Sequence, residues 1–123
     1  MAHILIVDDD SKIRWMLSEI LKDEGFDVTS ASNGVEGLNY FHKSNVDLII
    51  TDINMPEKDG FELIMEVRNE NTKMPIIAMS GQDHSSSDRS HLKTAELLGA
   101  FATFEKPFIL ESILSTIRHF IDE

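Results

Sequence analysis

Five positions carry side chains able to act together on a phosphoryl group: the adjacent acids Asp8 and Asp9, then Asp52, Ser80 and Lys106. Each sits at or just past the end of an apolar run. Asp8 and Asp9 close Ile4 to Val7, Asp52 closes Val46 to Thr51, Ser80 closes Ile76 to Met79, and Lys106 follows Phe101 to Phe104 and Glu105. Clustered carboxylates raise one another's pKa unless a cation intervenes. Mg²⁺, a hard ion that takes a few carboxylates together with phosphate and water, removes that cost. A carboxylate flanked by such an ion and a lysine ammonium can attack a phosphoryl group while the two cations neutralise the developing charge. A serine hydroxyl can donate to one of the phosphoryl oxygens. Taken singly, each of these residues reads as a turn former, a cap or a solvated side chain. Their coincidence at strand ends is what specifies chemistry. The sequence holds no glycine-rich phosphate cradle, so bound ATP is not the expected donor.

These side chains can meet only if the runs that precede them lie side by side. The segments Ile4–Val7, Asp27–Ala31, Val46–Thr51, Ile76–Met79 and Phe101–Phe104 are read as strands, the first, third and fourth of them nearly all apolar. Continuous apolar strands are those buried on both faces. Helices are expected between them. The first runs to about Glu24 and stops at Gly25, with Ile13, Leu17, Ile20 and Leu21 on its inward stripe, Glu24 at its frayed end, and Trp15, Glu19 and Lys22 opposite. Asp10 reads as its cap or as a turn residue. A second helix, Gly34–Lys43, is capped by Asn33 and turns Val35, Leu38 and Phe41 or Tyr40 inward, although a mid-helix glycine at Gly37 costs roughly 1 kcal/mol. The others are Phe61 to about Asn71, burying Phe61, Ile64 and Val67 with Leu63 beside them; Leu92 to Leu98, after a polar loop from Gly81 to Ser90; and a last helix from about Ile109 carrying Ile109, Leu110, Ile113, Ile117, Phe120 and Ile121 on the same flank. Right-handed crossovers make this alternation an α/β fold: a doubly wound five-stranded parallel sheet flanked by five helices. In such a sheet, ligands bind outside the carboxyl ends of the strands where strand order reverses.

At 123 residues the chain has room for one domain, taken as 1–123. It has no cysteine, which excludes disulfide scaffolds, thiol catalysis and sulfur-ligated metals. A formal net charge of -11 repels a phosphate backbone, so direct nucleic-acid binding by this domain is not expected. No apolar run approaches the roughly 20 residues of a membrane span. The N-terminus enters a strand without a signal-peptide pattern, so a cytoplasmic location is expected.

With these residues in place, the chain resembles the receiver domain of bacterial two-component response regulators, a (βα)5, flavodoxin-like fold, over essentially its full length. Asp8 and Asp9 match the family's acidic pair. Asp52, in Thr51-Asp52-Ile53-Asn54-Met55-Pro56 with Gly60 beyond, matches its phosphoacceptor. Ser80 with Gly81 matches its hydroxyl residue and the small residue after it, and Lys106-Pro107 its lysine and usual cis proline. The resemblance implies that Asp52 takes a phosphoryl group from a sensor histidine kinase, a histidine phosphotransfer protein or a small phosphodonor. It implies a Mg²⁺ held directly by Asp9 and Asp52 and by the backbone carbonyl of Asn54, with Asp8 acting through water. Lys106 would bind one phosphoryl oxygen and Ser80 another. Asn54 and Gln82 match positions that border the phosphoryl group and influence its hydrolysis. The expected outcome is a phosphorylation switch that catalyses only its own phosphorylation and dephosphorylation and homodimerises on phosphorylation.

Two departures from the family pattern stand out. Thr103 occupies the place of an aromatic three residues before the lysine, and Phe104, one residue on, should face the other side of the strand. The stretch between Ser80 and Lys106 is also longer than in compact members, with His84, Ser85, Ser86, Ser87, Asp88, Arg89, Ser90 and His91 expected to extend the loop before the fourth helix. The histidines lack the tight ligand spacing of a zinc-binding helix and read as solvated surface residues. Trp15, the only tryptophan, reads either as an anchor for a phosphotransfer partner or as packing against a neighbouring loop. The competing functional class is a Mg²⁺-dependent phosphohydrolase with an Asp nucleophile, but that class has a second aspartate where this chain has Asn54. Within the switch class, the output is either contact with a downstream protein or a missing output domain, as in a truncated DNA-binding regulator. The segment Ser11 to Met16 resembles receivers of enhancer-binding regulators.

Overall fold

The computed structural model describes residues 2–55, 59–81 and 88–121, with residues 88–90 in backbone only. Five strands, β1 His3–Val7, β2 Asp27–Ala31, β3 Leu48–Asp52, β4 Ile76–Ser80 and β5 Ala102–Glu105, alternate with five helices, α1 Ser11–Asp23, α2 Gly34–Lys43, α3 Gly60–Glu70, α4 Asp88–Leu98 and α5 Leu110–Ile121. All strand pairs are parallel, in the order β2-β1-β3-β4-β5. Strand order therefore reverses between β1 and β3, the place where such sheets bind ligands.

Period-two alternation divides the apolar residues between the two faces of the sheet. Leu5, Val7, Ile49, Ile76 and Ala78 pack with Leu63, Ile64 and Val67 of α3 and Ala95 of α4. Ile4, Ile6, Leu48, Ile50, Ile77 and Met79 pack with Leu17 and Leu21 of α1 and Ile113 and Ile117 of α5. This is why the central strands read as unbroken apolar runs. Neither face of the central strands β3 and β4 is open to water.

Local chemistry starts the helices where the sequence suggests. Asp10 caps α1 by accepting from the Lys12 amide, and Asn33 caps α2 by accepting from that of Glu36. Glu36 reaches back to the Ser32 amide and hydroxyl at 2.8 Å each. Asp59 caps α3 through the Glu62 amide. The mid-helix Gly37 has a packing reason: a Cβ there would come within 2.8 Å of Val7 Cγ2, so the missing side chain lets α2 close on β1.

Several expected boundaries and faces shift. Strand β3 begins at Leu48 instead of Val46, and β5 covers Ala102–Glu105 instead of Phe101–Phe104. Helix α4 starts at Asp88, four residues before Leu92, so Asp88 to His91 extend the helix and not the loop. Val35 is 44% exposed because the fully buried residues of α2 are Gly34 and Gly37, with Leu38 and Phe41 packed beside them. Ile109 is 70% exposed, since it precedes α5 and is not part of its stripe. Glu24 does not fray: it is the C-cap of α1 and pairs with Arg118 of α5. No helix among the described residues is long and apolar enough to cross a membrane.

Candidate functional site

Register brings the acids together. Val7 of β1 pairs with Thr51 of β3, so the next residues, Asp8 just past β1 and Asp52 at the end of β3, lie side by side. Asp8 is fully buried, Asp52 is 5% exposed, and Asp9 is exposed. Carboxylate oxygens from the three residues lie within 4.8 Å of one another, close enough for one ion to bridge them. The β1–α1 turn is held from both ends. The Asp8 amide donates to the Ala31 carbonyl at 3.1 Å, and the Asp10 amide donates to Asp8 Oδ1 at 2.9 Å.

Lys106 arrives from the far side of the sheet. Ser80 pairs with Glu105 in the β4–β5 register, the Lys106 amide donates to the Ser80 carbonyl at 2.8 Å, and the Lys106-Pro107 peptide is cis. The ammonium Nζ then donates to Asp8 Oδ2 at 2.7 Å and to Asp52 Oδ2 at 3.3 Å. Ser80 is fully buried, and its Oγ donates to the Gly81 carbonyl at 3.3 Å.

The backbone of Asp52 is enclosed as well. Thr51 Oγ1 donates to the Asp52 carbonyl at 2.9 Å, and the Asn54 amide donates to Asp52 Oδ1 at 3.3 Å. A Cβ on Gly60 would lie 2.3 Å from that carbonyl, a distance no side chain tolerates, so α3 can start here only with glycine.

Burial, reinforced by the charge of Asp8, pushes the Asp52 carboxyl up to about 6, against the opposing effect of Lys106. Burial likewise raises the Asp8 carboxyl, which Lys106 and the Asp10 amide partly restrain. Burial alone would lower the Lys106 ammonium, but its bond to Asp8 and the charges of Asp52 and Asp8 outweigh burial and raise it. Among the described residues, one lysine thus serves a cluster of three carboxylates, bonding to the two that burial makes costly to ionise. An all-oxygen, anionic set of this kind fits a hard divalent cation, which supplies the charge the site lacks.

The structure therefore brings together Asp8, Asp9, Asp52 and Lys106, with Ser80 and Asn54 on adjoining strand ends. Gln82, together with His84 and Ser85 to Ser87, lies outside the described residues. His91 is on α4 with its ring edge-on to Phe61, the centroids 6.0 Å apart. Trp15 is 68% exposed and, with Ser11, Lys12 and Met16, lines an open apolar recess. Thr103 Oγ1 reaches Glu96 of α4 at 3.4 Å, while Phe104 packs on the opposite face of the sheet, as strand alternation requires. Sequence reasoning missed Arg14, whose Nη1 donates to the Asp8 carbonyl at 2.6 Å. A side chain bonded to backbone leaves no pairing signal; its place in the first turn of α1, next to the acidic pair, was the only clue.

This fold and this strand-end set define a class, and comparison with known proteins agrees: residues 4–118 match the response regulator receiver domain. The chain belongs to that family, and it is a phosphorylation-dependent receiver domain. Among curated relatives it is 32% identical over 122 residues to the transcriptional regulatory protein GlrR of Escherichia coli K12, covering 99% of this chain and 27% of that protein. It is also 32% identical to sporulation initiation phosphotransferase F of Bacillus subtilis, covering 96% of this chain and 92% of that one. Hence the chain spans about a quarter of some relatives and nearly all of another. Among solved structures, the response regulator TrrA of Thermotoga maritima in complex with Mg²⁺ and BeF superposes with a TM-score of 0.84 at 32% identity, covering 98% of this chain and 100% of that one. A receiver domain from Clostridium thermocellum gives 0.90 at 29% identity, covering 99% and 95%. Metal involvement in this chain is supported by the acidic cluster and by the likeness to the Mg²⁺-containing relative.

Proposed function

We propose that Asp52 is the phosphoacceptor of a signalling switch and that Asp8, Asp9, Asp52 and the carbonyl of Asn54 hold Mg²⁺. The observation that carries this reading is the placement of the buried Asp52 carboxylate between an acidic pair and the Lys106 ammonium, at the strand-order reversal. Both Asp8 oxygens already accept hydrogen bonds, which suits Asp8 to act through water and leaves direct ligation to Asp9 and Asp52. Bound there, the ion lowers the cost of ionising the carboxylates and draws charge from the phosphoryl oxygens. An ionised Asp52 oxygen attacks phosphorus in line; the new P–O bond forms as the P–N bond to the donor imidazole breaks, and the electron pair stays with that nitrogen. Lys106 exchanges carboxylate for a phosphoryl oxygen. Ser80 exchanges the Gly81 carbonyl for another phosphoryl oxygen, and the loop that follows moves with it.

The donor is a histidine kinase or phosphotransfer protein, for which the exposed Trp15 face of α1 offers an apolar contact. The output is a protein contact, either with a separate target or with a further domain of the kind found in longer relatives, and phosphorylation favours a homodimer. A phosphohydrolase is disfavoured because Asn54 lacks the titrating carboxylate that class requires. Incubation with Mg²⁺ and a small phosphodonor should add one phosphoryl mass to the intact protein, and D52N should show no addition. An adduct retained in D52N would overturn the assignment. W15A should slow transfer from a phosphohistidine protein while sparing the small donor.

A further inference from the structure

We infer that Arg14 is a positioning residue for the metal site: it fixes the turn that presents Asp8 and Asp9, and it does so through the backbone. The inference rests on the metal reading above and goes beyond it. Arg14 lies in the first turn of α1, its own amide donating to the Asp10 carbonyl at 3.1 Å. Its guanidinium curls back and donates from Nη1 to the Asp8 carbonyl at 2.6 Å, in a partly buried setting. The turn is thereby pinned on three sides: Asp8 N–H to Ala31, Asp8 Oδ1 to Asp10 N–H, and Asp8 C=O to Arg14. The Asp8 carbonyl belongs to the peptide that leads into Asp9, so its orientation sets where the exposed Asp9 carboxylate can reach.

A cation beside a cation site needs a reason to be there. By charge alone, a guanidinium weakens metal binding, since like charges repel. Glu36, in the first turn of the neighbouring α2, offsets part of that charge: Arg14 contributes to holding the Glu36 carboxyl below its ordinary value, after the larger effect of its bonds to Ser32. The two roles thus predict opposite signs. Removal of a mere nearby charge tightens Mg²⁺ binding, whereas removal of the group that orients the ligands loosens it. Partners that orient metal ligands are worth about 10- to 100-fold in affinity, more than a partly screened charge at this exposure returns.

The test is calorimetric titration of the whole chain with MgCl₂ at neutral pH, for wild type, R14M and R14K, with a thermal melt of each metal-free protein. R14M keeps the bulk and removes both charge and donor; R14K keeps charge and a donor. The expected result is Mg²⁺ binding about tenfold weaker in R14M and recovered in large part by R14K, with metal-free melting temperatures close to wild type. Unchanged or tighter binding in R14M overturns the inference. Equal weakening in R14M and R14K also overturns it, because the effect would then belong to helix packing and not to the donor. If wild type itself binds no Mg²⁺, the metal reading and the inference fall together; wild-type binding with an indifferent R14M sinks the inference alone. Should R14M fail to fold, R14L, which also lacks charge and donor, takes its place in the same comparison.

Discussion

The two halves of the site are built differently. On the β1–β3 side, Asp8 and Asp52 are buried, adjacent by register, and tied by amide, hydroxyl and ammonium donors. On the β4–β5 side, the buried Ser80 hydroxyl has one hydrogen bond among the described residues, at 3.3 Å, and Thr103 meets Glu96 at an exposed 3.4 Å. The first half is preorganised for chemistry, where misplaced ligands cost rate. The second is loosely held, as a part that must change partners has to be. Lys106 belongs to both: its backbone is fixed to Ser80 while its ammonium sits on the acids.

Because it joins the two halves, Lys106 should be the most sensitive residue outside the acids. K106M is expected to slow phosphorylation by a small phosphodonor about 100-fold or more, comparable to losing one preorganised donor to a developing charge. Mg²⁺ binding should survive in the same variant, since the ion and the ammonium compete for the same carboxylates. Loss of metal binding together with rate would dissolve the distinction between the halves.

A smaller effect concerns the rigid half alone. The Asp52 carboxyl, raised to about 6 by burial and by Asp8, binds a proton more tightly in the folded than in the unfolded chain. Its contribution to stability is therefore most favourable below the unfolded value near 4 and is lost as pH rises through about 6. Metal-free wild type should accordingly lose stability relative to D52N between pH 4 and 7, by roughly 2 kcal/mol. Lys106 retains Asp8 as its partner in that variant. Denaturant titrations at the two pH values check this, and saturating Mg²⁺ should abolish the difference. Glu36, whose carboxyl is lowered by its bonds to Ser32, runs in the opposite sense, so the comparison must be with D52N and not with wild type at a single pH.

The smallest effect is expected in the loose half. T103V removes a long, exposed hydrogen bond to Glu96 and should change stability by less than about 0.5 kcal/mol. Phosphorylation rate should stay within about twofold. A large change in rate would show that α4 is coupled to the chemistry in the resting protein.

The same contrast explains what could be read before the structure. The three central strands and the meeting of Asp8, Asp9, Asp52 and Lys106 follow from apolar runs and strand ends, because burial on both faces leaves an unbroken hydrophobic signature; the edge strands β2 and β5 are partly exposed and carry a weaker one. Features carried by small or polar residues did not show. The fully buried residues of α2 are Gly34 and Gly37, with Leu38 and Phe41 packed beside them, so Val35 was expected inside and is not. The first turn of α4, Asp88 to His91, has no apolar residue to mark it as helix. Arg14 acts on a carbonyl that every residue possesses, so no partner residue type betrays it.

Gly60 carries a mechanical consequence. With the first residue of α3 lying against the Asp52 carbonyl, and the Gly60 amide bonded to the Ile53 carbonyl at 3.0 Å, the main chain of the proposed nucleophile has a wall behind it. A phosphoryl group pressed onto Asp52 has no room to recoil toward α3. On the phosphoacceptor reading, the displacement that reports phosphorylation is therefore expected across the sheet toward Ser80 and not toward α3.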